Sequence, residues 1–487
     1  MQSAIENISV GTASASTWSL RGEIRGLVTL GLPIVGTTMS GMLLGFTDFL
    51  MVSQLGTEAT AAISPCTMLL YTFLCLGLGM ANSVQTYSAQ AVGGGRPKEA
   101  AAYAWQALYV GLAFVPIAWF GTMMLPALWL RVGHDPVVQE MELAYSEVVL
   151  WCIPVAIFCV GLEGFFNGVQ RPKVALVSVM TAVVFNAIAN YALIFGKLGF
   201  PAMGIRGAAV ATLVSWVVRL TILGFVFRNR EFRRDFDSES QWRPSFNRIG
   251  GILRVGGPTG IQWTLDVGSW FVFLTVLIAG FGTATLAASN IALQFMHVSF
   301  MAALGIGSAV TTLVGHAIGE RKHDLAALRA RAGLIVTSVY MGVIGLVFLA
   351  AGRPLVDLLS NDADVISVGT GVLVWAAVFQ LFDAMGITYV HALRGAGDTR
   401  WPAILVIVCN WGVFIVGGYL VSRYLPRLGH HGPWMMCTLY IILTGLALRG
   451  RFLRGAWRKI ELFKADVKPV EIPAPVEAQV EQIGVGA

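Results

Sequence analysis

The chain has 487 residues, of which 56% are hydrophobic and only 12% are charged, and its mean hydropathy is +0.71. Soluble domains carry about twice that share of charge, so the composition excludes a soluble enzyme. A spanning helix uses about 20 residues, and with connecting loops this length holds about a dozen spans. The net charge of +6 does not indicate nucleic-acid binding, because Lys and Arg lie in short segments between apolar runs and not along one stripe.

Twelve apolar runs bounded by charged or Pro/Gly-rich breaks predict an all-α polytopic membrane protein. In chain order the predicted spans are 27–52, 60–85, 102–130, 143–166, 173–195, 205–228, 250–280, 284–313, 327–350, 368–391, 402–422 and 433–450. All six cysteines lie inside these runs, so neither a disulfide framework nor a zinc site is indicated.

The most polar internal segment, 229–249, separates six spans from six. We therefore expect two six-helix bundles, an N-lobe at 27–228 and a C-lobe at 250–450, joined by a cytoplasmic loop at 229–249. The preceding cytoplasmic segment, 1–26, has no apolar stretch typical of a cleaved signal peptide. The tail at 451–487 begins basic and becomes rich in Pro, Val and Glu, a composition typical of disorder.

The distribution of basic residues predicts the orientation of the chain in the membrane. Of the 33 Lys and Arg residues, 25 lie in termini and loops on the side of the N-terminus, and six lie in loops on the opposite side. Cytoplasmic loops of membrane proteins carry the excess of Lys and Arg. Both termini are therefore expected in the cytoplasm.

The sequence repeats across the polar segment. Residues 55–62 (Leu-Gly-Thr-Glu-Ala-Thr-Ala-Ala) match residues 281–288 (Phe-Gly-Thr-Ala-Thr-Leu-Ala-Ala) at an offset of 226. Two further matches have the same offset: 78–79 with 304–305, and 90–93 with 316–319. Each half holds an even number of spans, so both halves enter the membrane in the same direction. Parallel repeats of this kind place a substrate site between the halves.

Four acidic residues lie well within the predicted spans: Asp48, Glu163, Asp266 and Asp383. A charge at the centre of a bilayer costs about 2.5–3.5 kcal/mol on insertion scales, so such residues face the interior, pair, or are neutralised. We expect Glu163 to form a boundary ion pair with Arg171 or Lys173. Arg219, the only Arg well inside a predicted span, is either a structural counter-charge or extends toward the cytoplasm, and we expect the second.

Asp48 lies in the outer part of the first span, and the fifth span carries Asn186 and Asn190 one helical turn apart, on one face. Carboxylate and amide oxygens are the hard ligands that alkali cations prefer. The same set can hold a proton on Asp48, with the amides bonded to the acid. The residues alone therefore leave three interpretations open: a Na⁺ site, a proton site, or Asn side chains that only bridge helices.

The second half carries its own acidic and aromatic set. Asp266 and Asp383 are its membrane carboxylates, and they are a second candidate set for Na⁺ or H⁺. A cleft for flat organic cations needs carboxylates for charge and rings for cation–π contact. The predicted cleft residues are Gln262, Trp263, Asn290, Gln294 and Gln380.

Taken together, these motifs resemble the multidrug and toxic compound extrusion (MATE) family, NorM-like branch, over residues 25–450. The resemblance depends on the order and spacing of several segments: 30–33 (Leu-Gly-Leu-Pro) before Thr47-Asp48, 55–57 (Leu-Gly-Thr), 204–212 (Gly-Ile-Arg-Gly-Ala-Ala-Val-Ala-Thr), 315–320 (Gly-His-Ala-Ile-Gly-Glu), and Asp383 followed by 393–398 (Leu-Arg-Gly-Ala-Gly-Asp).

The resemblance implies twelve helices in two bundles around a cleft, and export of organic compounds, often cationic, in exchange for Na⁺ or H⁺. It implies alternating access and no cofactor. Asp48, Asn186 and Asn190 match the first-lobe polar cluster of the branch, and Asp383 matches the acid of the tenth span. Asp266 stands where the branch usually has Glu. The expected partners are small organic substrates, a coupling cation and the lipid bilayer, with the chain a monomer in a bacterial inner membrane.

Two other functions agree less well with the sequence than export of organic compounds. A lipid-linked oligosaccharide flippase of the same superfamily would be expected to line its cleft with several cations for pyrophosphate, whereas this interior is acidic. An integral membrane enzyme such as a prenyltransferase would need paired Asp-rich motifs at a membrane face for Mg²⁺-diphosphate, and the sequence carries none. The expectation is therefore a transporter and not an enzyme.

Overall fold

The computed structural model describes residues 18–463, and all the regular structure in that range is helical. The first 17 residues of the predicted cytoplasmic segment lie outside the described residues. The predicted disordered part of the tail, from Pro469 to Ala487, lies outside them as well.

Eight helices precede the polar segment. They are α1 (Leu20–Ser53), α2 (Thr57–Gly93), α3 (Pro97–Ala113), α4 (Val115–Val132), α5 (Pro136–Val149), α6 (Cys152–Gly168), α7 (Pro172–Phe195) and α8 (Gly204–Phe227). Helices α3 and α4 together make one long span, while α5 and α6 meet at an angle of 42° and make one bent span.

The polar segment contains a short helix, α9 (Arg230–Phe236), and a 3-10 turn at Ser240–Trp242. The helices that follow are α10 (Phe246–Val272), continued by a π-helical turn and a 3-10 turn to Phe281, α11 (Thr283–Gly319), α12 (His323–Asp357), α13 (Ala363–Gly395), α14 (Arg400–Val408), continued by a π-helical segment into α15 (Gly417–Tyr424), and α16 (His431–Leu453).

The helices reproduce the predicted number of spans. Eleven are long and apolar enough to cross a membrane by themselves, and the bent pair α5–α6 makes the twelfth. The hydropathy pattern underestimated their lengths. The second span was predicted at 60–85 and α2 runs from Thr57 to Gly93, because its last two turns carry polar side chains that are buried in protein and not exposed to lipid.

The predicted repeat is visible in the backbone. Helices α2 and α11 both have 37 residues, and their ends differ by the predicted offset of 226. The residues that precede them, Gly56 and Gly282, adopt φ angles of 121° and 103°. A residue with a Cβ atom rarely adopts this region, so glycine is required at both copies of the turn.

The two halves meet at one end of the bundle, which we call the closed end. The second part of α2 crosses the second part of α11 there, and α1 and α10 pack against the opposite half. Gln85 Nε2 donates to Ser308 Oγ and Thr312 Oγ1, both at 2.9 Å. Gln90 Nε2 donates to the Gly395 carbonyl at 2.8 Å. These hydrogen bonds join the halves across the repeat.

The closed end is locally symmetric. A Cβ atom on Gly93 would lie 2.2 Å from the carbonyl oxygen of His316, and one on Gly319 would lie 2.3 Å from that of Gln90. These four residues belong to the repeat motifs 90–93 and 316–319. The offset of 226 between these two motifs therefore reflects a two-fold contact in which the helix backbones approach too closely for a side chain.

Away from the closed end the halves diverge. Within 18–463, residues 39–82 of the first half and 263–300 of the second form no hydrogen bond to the opposite half; the contacts nearest these ranges are Thr38 with Met301 and Ser83 with Ile252. We call the other end of the bundle, where these hydrogen bonds between the halves are lacking within 18–463, the open end. The connection between α8 and α10 lies at the closed end, where Trp105 Nε1 donates to the Ser238 carbonyl at 2.6 Å.

Candidate functional site: two carboxylate clusters

The first half holds a buried carboxylate near the open end. Asp48 lies in the last turns of α1 and is 5% exposed. Asn190 of α7 donates from Nδ2 to Asp48 Oδ1 at 2.6 Å, and Thr212 of α8 donates from Oγ1 to Asp48 Oδ2 at 2.6 Å. Asn190 Nδ2 also lies 3.1 Å from Asn186 Oδ1. We call these four residues the Asp48 cluster.

Local sequence explains how three helices supply this cluster. Asn186 and Asn190 are separated by four residues, so both project from one face of α7. Thr212 lies two turns into α8, and its hydroxyl also bonds the carbonyl of Ala208 at 3.0 Å, which fixes its rotamer. The predicted residues Asp48, Asn186 and Asn190 are thus brought together in the structure.

The Asp48 cluster has neutral partners. Among the described residues, every hydrogen-bond partner of the Asp48 carboxylate is an amide or a hydroxyl, and no ion pair involves it. Two polar atoms of the cluster, Asn186 Nδ2 and Asn190 Oδ1, are buried without a hydrogen-bond partner. Buried polar atoms without partners are costly, so the cluster is equipped to accept one more group.

The second half holds a different arrangement. Asn410, in the π-helical segment after α14, donates from Nδ2 to Oδ1 of Asp266 on α10. Asp383 on α13 and Arg394 at the end of α13 both lie close enough to Asp266 for their charges to interact with it. Asp266 and Asp383 are partly exposed, whereas Arg394 is 6% exposed. We call these four residues the Asp266 cluster.

Arg394 connects the Asp266 cluster to the predicted cleft residues. Its guanidinium carbon lies 5.5 Å from the ring centroid of Trp263, a cation–π distance, and Nη2 lies 3.4 Å from Gln262 Oε1. The Arg394 carbonyl accepts a hydrogen bond from Thr86 of the opposite half at 3.0 Å. The Asp266 cluster therefore lies beside the seam between the halves.

The other predicted cleft residues separate into two groups. Gln380 is buried and donates to Ser299 Oγ at 3.3 Å, so in this structure it joins α13 to α11. Asn290 and Gln294 on α11 are exposed. The structure brings Gln262 and Trp263 to Arg394 but does not place Gln380 in that contact.

Three residues of the clusters were missed by sequence reasoning. Thr212 was noted only as part of a motif, and Asn410 was not noted, because a pattern on one helix does not reveal which side chains of another helix face it. Arg394 was counted as a loop residue, since the apolar run ends at 391 while α13 continues to Gly395. Extending the helical pattern of α13 beyond the end of the apolar run would have placed Arg394 on this helix.

The predictions for Glu163 and Arg219 were wrong. Glu163 pairs with Arg219, whose guanidinium also lies 5.2 Å from the Trp216 ring centroid. Arg171, the expected partner of Glu163, pairs instead with Glu231 on α9 at 3.0 Å. Adjacent α6 and α8 bring Glu163 and Arg219 together, and a salt bridge between partly buried side chains removes the need for Arg219 to extend to the cytoplasm.

The chemistry of the clusters suits a monovalent cation better than a transition metal. Within residues 18–463, no group of three or more His, Cys, Asp or Glu residues is arranged to hold a metal ion. The Asp48 cluster offers instead one carboxylate, two amide oxygens and a hydroxyl, all hard oxygen donors. Such a set can hold Na⁺, or it can stabilise a proton on the carboxylate.

Known proteins share this architecture. The family model MatE matches residues 33–192 and 266–420. The probable multidrug resistance protein NorM of Rhizobium meliloti (strain 1021) is 31% identical over 451 residues, covering 89% of this chain and 93% of the relative. A solved structure of a MOP superfamily transporter from Pyrococcus furiosus has a TM-score of 0.82 at 22% identity, covering 91% of this chain and 98% of that one.

A Vibrio cholerae MATE transporter, VcmN, solved in a mutant form, has the same TM-score of 0.82 at 18% identity and covers 91% of this chain and 99% of that chain. Within residues 18–463, eleven spanning helices, or twelve with the bent pair α5–α6, agree with the fold of these matches. The chain is a multi-pass membrane transporter and not an enzyme, and it belongs to the MATE family, in its NorM-like branch.

Proposed function

We propose that this protein exports organic, often cationic, compounds in exchange for an inward-moving cation, Na⁺ or H⁺. The curated relative named above is described as a multidrug resistance protein, which supports export of drugs. The observation that carries the proposal is Asp48: a carboxylate 5% exposed, bonded by neutral donors alone among the described residues. A buried carboxylate is stabilised when it binds a cation or accepts a proton. Its occupancy therefore depends on the gradient of that cation or of protons.

The orientation follows from the charge distribution. The closed end carries the basic side of the chain, including Arg96, Arg228 and Arg248, and the positive-inside rule assigns that side to the cytoplasm. The described conformation then faces outward, with its cleft open to the external side. Both termini lie in the cytoplasm, and the protein acts as a monomer in a bacterial inner membrane.

Each of the two clusters binds a different ligand in this proposal. The Asp48 cluster binds the coupling cation, since it is enclosed and offers oxygen donors. The Asp266 cluster, with Trp263 beside it, binds the substrate, because partly exposed carboxylates attract an organic cation and a ring supports it. A membrane potential of 100 mV contributes about 2.3 kcal/mol for each net positive charge that enters in one exchange cycle. It therefore drives export of a neutral substrate, or of a cationic substrate when more positive charge enters than leaves.

Alternating access requires the closed end to separate, and its glycines offer a test. A Cβ atom on Gly256 would lie 2.5 Å from the Met80 carbonyl oxygen, whereas one on the neighbouring Gly257 would contact nothing within 4 Å. We expect Gly256→Ala to force the closed end apart and Gly257→Ala to leave it unchanged. Distances between spin labels on the two halves at the closed end measure this. Equal distance distributions for both variants would contradict the assigned seam.

The flippase alternative is not favoured by the buried cations. Two arginines are buried in the described spans, Arg219 and Arg394. Arg219 is paired with Glu163, and Arg394 lies beside Asp266, so each has an acidic neighbour. A pyrophosphate site would need cations that are free to bind the anion.

The experiment that tests the proposed function is efflux of a cationic dye in inverted membrane vesicles. A Na⁺ gradient, a pH gradient, or neither is imposed, each at a fixed membrane potential. We expect dye uptake into the lumen under one of the two gradients and not without a gradient. Equal uptake under all three conditions, at the level of vesicles that lack the protein, would refute ion-coupled export.

A further inference from the structure

Beyond the two clusters, the first half contains another buried carboxylate. Glu142 lies on α5, and its side chain is 0% exposed. The fourth span was predicted to begin at 143, so the sequence did not count Glu142 among the membrane acids. Its Oε1 accepts a hydrogen bond from Nδ1 of His134 at 2.8 Å, while Oε2 is buried without a partner.

His134 is the group that connects Glu142 to water. It lies in the short turn between α4 and α5 at the open end, and 41% of its side chain is exposed. Its carbonyl accepts a hydrogen bond from Gln139 Nε2 at 2.7 Å, and Asp135 caps the start of α5 through Val137. The imidazole therefore has one nitrogen on the buried acid and an exposed face toward the open end.

Glu142 shares a face of α5 with two buried hydroxyl residues. Tyr145 and Ser146 follow it by three and four residues, the spacing that places side chains on one side of a helix. Ser146 Oγ donates to Cys66 Sγ of α2 at 3.1 Å, and Cys66 Sγ donates to the Glu142 carbonyl at 3.4 Å. Tyr145 is 4% exposed, and its neutral phenol lies within range of the Asp48 charge.

The surroundings of Glu142 otherwise carry little charge. Helices α2, α4 and α8 pack against α5. Of their ionisable groups, Cys66 contacts the Glu142 carbonyl, while Glu58, Arg131 and Arg206 are exposed near the open end. Among the described residues, none of these three exposed groups forms an ion pair or hydrogen bond with Glu142. The ionisable side chain that hydrogen-bonds the Glu142 carboxylate in the described residues is His134.

We propose that His134 and Glu142 form a proton-loading site for the Asp48 cluster, so that this protein exchanges its substrate for H⁺. The inference rests on the proposed function and deepens it by naming the coupling ion. One imidazole and one carboxylate supply too few oxygens for Na⁺, whereas a His–carboxylate pair is a proton carrier near neutral pH.

Each transfer conserves the proton. A proton from external water binds Nε2 of His134, the Nδ1–H bond breaks, and an O–H bond forms at Glu142 Oε1. The imidazole is then neutral and Glu142 is a carboxylic acid. Loss of that proton to Asp48 returns Glu142 to the carboxylate and converts Asp48 to the acid. The buried hydroxyls of Tyr145 and Ser146 are the polar groups available along this face.

The test measures the pH dependence of transport in His134→Gln and Glu142→Gln. His134→Gln keeps a side-chain donor for Glu142 but cannot titrate. The matched controls are Glu140→Gln and Glu147→Gln, two exposed carboxylates on the same helix. In inverted vesicles the open end faces the lumen, so dye uptake is followed as the lumenal pH is lowered in steps with the external pH fixed.

We expect both loading-site variants to slow uptake about 100-fold near neutral lumenal pH, the lower end of the effect of a lost proton-transfer group. The half-maximal rate should move to a lower lumenal pH, and the control variants should follow the wild type. If Glu142→Gln does not fold, His134→Gln carries the test. Melting temperatures are recorded for all variants.

The outcomes separate this inference from the proposed function. A lower melting temperature with a wild-type pH profile would mean that the pair only ties α4 to α5, and the inference is then wrong. Uptake driven by Na⁺ alone would overturn the inference and leave ion-coupled export standing. Uptake driven by neither gradient would refute the proposed function itself.

Discussion

The two halves of this protein descend from one repeat, yet they hold their membrane carboxylates in different ways. Pro33 and Pro258 lie in the first span of each half at an offset of 225, close to the repeat offset of 226. Asp48 lies fifteen residues after Pro33, and Asp266 lies eight residues after Pro258. The difference of seven residues corresponds to about 10 Å along a helix. Both pair with Asn on the fifth span of their half, Asp48 with Asn190 and Asp266 with Asn410. Both halves therefore contain an Asp–Asn pair, but the Asp lies at a different position along its helix in each half.

Their electrostatic environments differ more than their geometry. Asp48 is enclosed by amides and a hydroxyl, whereas Asp266 has Arg394 and Asp383 as charged neighbours and is partly exposed. A carboxylate with neutral partners gains most from a small cation or a proton. A carboxylate near a buried arginine has a partner of opposite charge, and its partial exposure gives access to a larger ligand. Under the proposed function, the two halves thus provide one site for each partner of the exchange.

The largest expected effect on the difference between the two halves comes from a substitution of Asp48. Asp48→Asn keeps the shape of the cluster but removes the charge and one of the two oxygens that accept hydrogen bonds from Asn190 and Thr212. Gradient-driven dye export should therefore fall to background while dye binding persists. The control is Asp364→Asn, an exposed carboxylate near the open end. Export rates and equilibrium dye binding are measured on both variants. Full gradient-driven export by Asp48→Asn would show that coupling resides elsewhere.

Glu163 provides the opposite case, a carboxylate in the first half whose charge is balanced. Glu163→Gln leaves Arg219 without its partner, and removing one member of a buried ion pair costs about 3–5 kcal/mol of stability. We expect a lower melting temperature in detergent, with recovery in the double variant Glu163→Gln with Arg219→Met. Asp48→Asn should not lower the melting temperature. Loss of stability in Asp48→Asn, and none in Glu163→Gln, would reverse the comparison.

The second half is tested by substrate affinity. Asp266→Asn removes the charge beside Trp263, so binding of a monovalent cationic dye should weaken about tenfold, equivalent to about 1.4 kcal/mol. Asp357→Asn, an exposed carboxylate of the same half, serves as the control. Fluorescence titration measures the affinity. A neutral substrate should be bound equally by wild type and variant; weakening of both ligands would indicate a general structural role for Asp266.

The smallest expected effect comes from Thr212. Thr212→Val removes one of the donors to the Asp48 carboxylate, and a single intramolecular hydrogen bond contributes a net of about 0.5–1.5 kcal/mol. The concentration of cation that half-saturates export should therefore shift by about two- to threefold, and by about tenfold at most. Thr221→Val, whose exposed hydroxyl bonds only the Val217 carbonyl on the same helix, is the matched control. An identical shift in both variants would remove Thr212 from the cluster.

Much of this fold could be predicted from the sequence, because burial in lipid imposes long apolar runs that a hydropathy count detects. The repeat offset of 226 predicted which helix ends correspond, and α2 and α11 confirm it. The exact ends of the helices were harder to predict from the sequence. Residues such as Gln85 and Gln90 are polar but buried between halves, so their side chains resemble loop residues in a hydropathy profile.

The candidate sites were predictable only where one helix carries the pattern. The spacing of Asn186 and Asn190 is visible in the sequence, and charge inside a span marks Asp48. Thr212 and Asn410 belong to other helices, and their contacts depend on helix rotation and crossing that no local pattern records. Glu142 escaped notice for a simpler reason, since a predicted span that began one residue too late excluded it.

The central claim is exchange of substrate for a cation at Asp48, and cation release on substrate binding tests it most directly. Purified protein in weakly buffered detergent solution, or loaded with radioactive Na⁺, is titrated with a cationic dye while released H⁺ or Na⁺ is counted. We predict release of one of these cations by the wild type and by Asp364→Asn, and none by Asp48→Asn. Saturating dye binding without release of either ion, or undiminished release by Asp48→Asn, would contradict the assignment of Asp48 as the coupling site.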